Sequence, residues 1–251
     1  MEAYQDFAQV YDLFMKDVPY DKWVEYIEAI WKKFNCEPKL MAELGCGTGT
    51  MTTLFAKKGI EMIGIDSSEA MLSMAQEKAI HQNVDILYLL QDMREFELYG
   101  TVDCIISVCD SMNYILDEKD ILKTFKWVNN YLNPKGLFIF DLNTEYKYKE
   151  LLGENIFTEN MKEASFIWEN FYNENESINE YNLTLFIKQL DKNYYTKSEE
   201  LHYERMYSIE TMIDLIKEAG MEFLAVYDAY TFQSPRENSE RIYFIAKERG
   251  K

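Results

Sequence analysis

At 251 residues the chain is long enough to bury a large core, and it reads as one α/β domain carrying an elaboration. Its 44 acidic against 26 basic residues, a formal charge of −18, exclude a broad phosphate-binding surface, which needs clustered Lys and Arg, and favour work on a small molecule. No stretch approaches a membrane span, the first residues lack the basic and apolar regions of a signal peptide, and Cys36, Cys46, Cys104 and Cys109 form no C-x-x-C pair. The expectation is a cytoplasmic protein with reduced thiols, no bound metal and no membrane or extended nucleic-acid partner.

Tyr4, Phe7, Tyr11 and Phe14 share one face of a short helical pattern, and after Pro19 the residues Trp23, Ile27, Ile30, Trp31 and Phe34 recur at spacings near three and four. Residues 1–35 therefore read as a helical segment that either packs on a sheet edge or closes over a ligand. The next stretch, 41–50, is Met-Ala-Glu-Leu-Gly-Cys-Gly-Thr-Gly-Thr: an apolar run with Glu43, then glycines at 45, 47 and 49, then a helix start over 50–56. Glycine reaches φ > 0 without steric cost and lets a ligand touch the main chain, so a ligand is expected on this turn. A dinucleotide fingerprint would put its third glycine at Thr50; here it comes one residue early. Glu43 would repel a pyrophosphate but suits a ligand bearing ammonium and sulfonium charges.

Residues 60–66 form a second strand ending in Asp66, where an acid accepts hydrogen bonds from ribose hydroxyls. Ser67 and Ser68 open a helix that runs to about Gln82 with Met71 on its apolar side. Residues 84–89 are a third strand, followed by Asp92 and Met93. Residues 102–109 are a fourth, nearly continuous in apolar character, that delivers Asp110 to its carboxyl end. A helix over 118–132 stops at Asn133-Pro134-Lys135-Gly136, and 137–142 is a fifth strand. Strands alternating with helices predict a parallel sheet.

From 166 to 207 the period changes to two, which predicts an inserted antiparallel meander with turns near 173–175 and 191–193. Ser208 caps a helix over 209–219 that stops at Gly220, and 221–227 and 241–247 close the main sheet as an antiparallel edge. Residues 1–142 and 208–251 thus read as one Rossmann-like domain. Residues 143–207 read as an inserted β subdomain that covers a substrate or forms a dimer surface.

Glu43, the three glycines, Asp66, Asp92-Met93 and Asp110 fall at the ends of four successive strands, an order and spacing that resemble the class I S-adenosylmethionine (SAM) dependent methyltransferases over roughly the first 142 residues. The opening aromatic segment, the insert and residues 200–205 are similar in layout to a small-molecule subgroup that includes dTDP-amino-sugar N,N-dimethyltransferases. The resemblance implies a seven-stranded, mostly parallel sheet with an antiparallel last strand, SAM as cofactor and S-adenosylhomocysteine as product. It places Glu43, Gly45, Cys46, Gly47, Gly49, Asp66 and Ser67 at the cofactor, Met71 beside the adenine, Asp92 and Met93 on the adenine's edge, and Asp110 by the methionine part and the acceptor. Tyr4, Tyr11, Tyr20 and Trp23 are expected as an aromatic cover.

Of the two histidines, His81 follows from the pattern as a surface residue, whereas His202 matches a histidine of the subgroup, which gives it a catalytic reading beside a structural one. An amine acceptor needs no dedicated base; for a hydroxyl, His202, Asp110 and Glu204 are the groups to consider. The expected function is methyl transfer to a small molecule, nitrogen preferred. An RNA or protein acceptor and a nicotinamide-dependent oxidoreductase are the alternatives. Exposed aromatic strand faces predict a homodimer.

Overall fold

The computed structural model describes residues 7–189 and 194–251, so Tyr4 and the turn expected at 191–193 lie outside the described residues. Helices α1 (Ala8–Phe14) and α2 (Tyr20–Phe34) precede β1 (Leu40–Leu44), α3 (Thr50–Lys57), β2 (Glu61–Asp66), α4 (Glu69–Gln82) and β3 (Ile86–Leu90). Then come β4 (Val102–Ser107), a 3₁₀ turn (Ser111–Tyr114), α5 (Glu118–Tyr131), β5 (Leu132–Asn143) and a π-helical turn (Lys147–Leu152). The chain continues through β6 (Ile156–Asn160), β7 (Ala164–Asn173), β8 (Ile178–Lys188), β9 (Tyr195–Arg205), α6 (Ile209–Glu218), β10 (Glu222–Asp228) and β11 (Arg241–Lys247).

Seven strands form one sheet in the order β10-β11-β5-β4-β1-β2-β3. β1 to β5 pair in parallel, and β11 runs antiparallel to both of its neighbours. The antiparallel strand is one in from the edge, with β10 outermost; β11 buries five consecutive residues, as a strand covered on both faces must. Successive strand residues feed opposite cores. Ala42, Ile105, Phe138, Phe140 and Phe244 pack with Phe125, Val128, Met212 and Ile216 on one face. Met41, Cys104, Ile106, Ile139 and Ile245 pack with Ile27, Ile30, Trp31 and Phe55 on the other.

Local chemistry explains the element ends. Ser68 Oγ accepts from Met71 N and caps α4, and Ser208 Oγ accepts from Thr211 N and caps α6. β5 begins five residues before its expected start, because Leu132 pairs with Val102 before the Pro134 turn loops out and pairing resumes at Leu137 with Cys104. β4 ends two residues early, because Cys109 and Asp110 turn left-handed.

The insert is an antiparallel sheet in the order β6-β7-β8-β9, one strand more than the expected meander. β6, five residues long and half exposed, has too little apolar alternation to stand out in the sequence. α1 joins this sheet to the main domain: Val10 packs with Ala164, Leu183 and Leu185, and Phe14 meets Phe166 edge to face at 4.8 Å. Among the described residues no helix is long and apolar enough to cross a membrane.

Candidate active site

The turn after β1 is shaped by three left-handed glycines, Gly45, Gly47 and Gly49, with φ of 68°, 54° and 71°. They are not equivalent. A Cβ on Gly47 would meet nothing within 4 Å, so its main chain faces open space. A Cβ on Gly45 would strike Ser111, and one on Gly49 would strike the Tyr88 hydroxyl and lie 2.9 Å from Ala75, so Gly49 lets α3 and α4 close on the sheet.

That open space is a cavity of about 790 Å³ at the carboxyl ends of the parallel strands. Glu43, Gly45, Cys46 and Gly47 line it from β1 and its turn, and Asp66, Ser67 and Met71 from the end of β2 and the start of α4. Asp92 and Met93 come from beyond β3, and Tyr11 and Tyr20 from the N-terminal helices. Glu43, Asp66 and Asp92 thus share one cleft. Gly49, Trp23, Asp110 and His202 are not on its wall.

Glu43 is 3% exposed, and its Oε2 has no hydrogen-bond partner among the described residues. Burial pushes its carboxyl up to about 8, against a main-chain hydrogen bond at Thr52 that lowers it. Asp66 is also raised by burial, partly offset because it accepts from Ser68 N at 2.9 Å and from Gly47 N at 2.8 Å. Asp92 differs: Arg94 grips both of its oxygens and holds it below the ordinary carboxylate range. An orphaned buried carboxylate oxygen beside bare backbone fits a cationic group on a nucleoside.

Residues 41–136 match the family model described as a methyltransferase domain. Nearly the whole chain is 35% identical to a methyltransferase-family protein of Geobacillus sp. (strain WCH70), over 98% of this chain and 99% of that one. The crystal structure of an S-adenosylmethionine-dependent methyltransferase from Clostridium acetobutylicum ATCC 824 superposes with a TM-score of 0.87 at 32% identity, over 99% of this chain and 100% of that one. The chain belongs to the class I SAM-dependent methyltransferases. The fold is shared more distantly with CalS10, an amino pentose methyltransferase from Micromonospora echinaspora, at 15% identity and a TM-score of 0.74 over 99% and 98% of the two chains.

In this methyltransferase the aromatic residues expected as a cover are layered. Tyr11 and Tyr20 face the cavity, while Trp23 lies behind Tyr20 at 5.3 Å, stacked against Tyr230 and over the Arg241 guanidinium. Asp12 of α1 pairs with Lys78 at 2.7 Å and accepts from Thr48 Oγ1 at 2.7 Å, which pins the cover to the glycine turn. Asp110 is bound by Arg241 at 2.6 Å; burial pushes its carboxyl up, and Arg241 and Lys147 outweigh this and hold it low. The Cys109 thiol on the cavity wall is pushed up to about 12 by burial and Asp110, so it stays neutral.

His202 sits in the insert, 2% exposed, stacked on Tyr181 at 4.7 Å with Nε2 3.2 Å from Glu200. Its link to the cavity is indirect: Tyr181 bonds to Tyr114, which lines the wall. Glu204, two residues on, accepts from Tyr148 at 2.7 Å, and burial and Asp110 push it up to about 7. Ser111 and Tyr114 lie in the loop 110–114 that the sequence places at the carboxyl end of the fourth strand, though neither was singled out there. Sequence reasoning missed Asp141 and Arg241, of which only Asp141 carried a signal, an acid near the end of an apolar strand like Asp66.

Proposed function

We propose that the protein transfers a methyl group from SAM to a small-molecule acceptor, with nitrogen preferred over oxygen. The observation that carries this is the convergence of Glu43, Asp66 and Asp92, from the ends of β1, β2 and β3, on one cavity whose floor is uncovered backbone at Gly47. Family membership favours SAM over a nicotinamide dinucleotide.

Glu43 with its free Oε2 and the Gly45–Gly47 main chain would hold the methionine part, Asp66 the ribose, and Met71, Asp92 and Met93 the adenine. When bound, the cofactor supplies a methyl group already activated by its sulfonium. What this chain adds is alignment and exclusion of water, by Tyr11 and Tyr20 above and the Cys109–Ser111 turn beside. Cys109 on the wall is neutral and Asp110 behind it is tied to Arg241, so neither serves as a strong proton acceptor, which suits an amine that arrives unprotonated. CalS10, which shares the fold, is named for an amino pentose acceptor. The inner face of the insert, with Tyr181 and His202 buried beside Tyr114 and Glu204 buried two positions on, is the side from which a polar acceptor would be recognised.

Calorimetry tests the reading. SAM and S-adenosylhomocysteine should both bind saturably, and Gly47→Val, which adds bulk where the ligand lies and strains a left-handed residue by roughly 1–2 kcal/mol, should abolish both. No binding of either to the wild type would remove the proposal.

A further inference from the structure

Cys109 and Asp110, consecutive and neither of them glycine, hold φ of 62° and 57°. Cβ crowds the following carbonyl in this conformation, and such strain persists only where its surroundings over-determine it. Here the surroundings are specific. Asp141, fully buried at the end of β5, accepts from Asp110 N at 2.9 Å and from Cys109 N at 3.3 Å. Arg241, at the start of β11, donates to Asp141 at 2.7 Å and to Asp110 at 2.6 Å, so one guanidinium bridges the carboxylate that holds the turn and the carboxylate within it. The same guanidinium lies 5.4 Å from the centre of the Trp23 ring on α2.

The turn reaches the cofactor cavity through its neighbours. Ser111 Oγ donates to Val108 O at 3.0 Å and reaches Gly45 O at 3.3 Å, and Cys109 and Ser111 both line the cavity. Moving the turn therefore moves the wall and the first glycine together.

We propose that Asp141 and Arg241 are positioning residues: they clamp the Cys109–Asp110 turn in its strained form, and through Cys109, Ser111 and Gly45 they set the cavity for the cofactor, while Trp23 ties the N-terminal cover to the same clamp. This rests on the proposed function, in that the cofactor occupies this cavity. Neither residue touches the cavity itself; both act through the turn.

The test separates holding a conformation from balancing charge. Arg241→Met should weaken S-adenosylhomocysteine binding roughly tenfold, the scale of the strain at one such residue, and speed amide exchange at Cys109 and Asp110. Adding Asp110→Gly, which removes the steric cost, should bring affinity back to within about threefold of wild type. Adding Asp110→Ala, which removes the same charge but not the strain, should not. If Arg241→Met does not fold, Arg241→Lys carries the test, because a lysine keeps the charge without the two-pronged geometry, and the glycine should rescue it in the same way. Equal rescue by alanine and glycine, or an Arg241 variant with wild-type affinity and exchange, would overturn the clamp. If the wild type binds no S-adenosylhomocysteine, the cofactor reading fails, and the exchange rates still decide whether the clamp holds the turn.

Discussion

The Glu43 carboxyl, pushed up by burial from its ordinary 4.5 to about 8, keeps a proton in the folded chain that the unfolded chain releases. Its contribution to stability therefore runs against ionisation: the cost is absent below about 4.5, grows as pH rises, and is complete above about 8. Asp66, Asp141 and Glu204 are raised as well and tilt the balance in the same direction. The ligand-free wild type should lose melting temperature between pH 5 and pH 8, and Glu43→Gln should flatten that slope; an unchanged slope in thermal scans would contradict the assignment. The glycines divide by what a side chain would meet. Gly49→Ala, blocked by Tyr88 and Ala75, should destabilise by about 3 kcal/mol from overpacking and left-handed strain together, measured by urea unfolding. Gly47→Ala should lose only about 1 kcal/mol of stability, its main effect being on cofactor affinity.

Among the described α-helices, α1 has the least core of its own. It buries only Ala8 and Val10 among seven residues and is held from two sides, by the insert at Phe14 and Phe166 and by the Asp12–Lys78–Thr48 contact over the glycine turn. The ion pair is partly exposed, so it is worth at most about 1 kcal/mol and is screened by salt. Lys78→Met should raise the dissociation rate of S-adenosylhomocysteine a few-fold at low ionic strength, with the difference fading in about 0.5 M salt, as stopped-flow displacement would read. A salt-independent loss would assign Lys78 to packing instead. Strand β9 has a different character: its inward positions Glu200, His202 and Glu204 are buried, whereas its outward Leu201 and Tyr203 are 48% and 40% exposed. Periodicity alone reads such a strand with its faces reversed, since charged residues are ordinarily solvated and apolar ones covered.

For the whole molecule, the outward side of the insert leaves Ile167 and Phe171 open on β7 and Leu201 and Tyr203 open on β9, with Glu180 and Asn182 of β8 between the two pairs, exposed apolar side chains of the kind that a second copy covers. The expectation is a homodimer through this sheet, with twice the monomer mass by light scattering and a monomer when Phe171 and Leu201 are both changed to Lys. A wild type that stays monomeric at every concentration would contradict it. The acidic charge of −18 leaves the small-molecule acceptor as the reading that the surface supports best.

Much of this arrangement is local and was therefore legible along the chain. The strand, turn and helix at 41–50 follow from apolar spacing and from glycine's access to positive φ, and the acids at 43, 66 and 92 sit at strand ends because each strand stops where its apolar run stops. Parallel alternation then sends those ends to one side of the sheet. The clamp was not legible, because Asp110, Asp141 and Arg241 are up to 131 positions apart and meet only when β11 inserts between β5 and β10. The order of the last strands, the fourth strand of the insert and the inward turn of Glu200, His202 and Glu204 depend likewise on which face finds a partner. That is settled by burial between distant segments, which no window of the sequence contains.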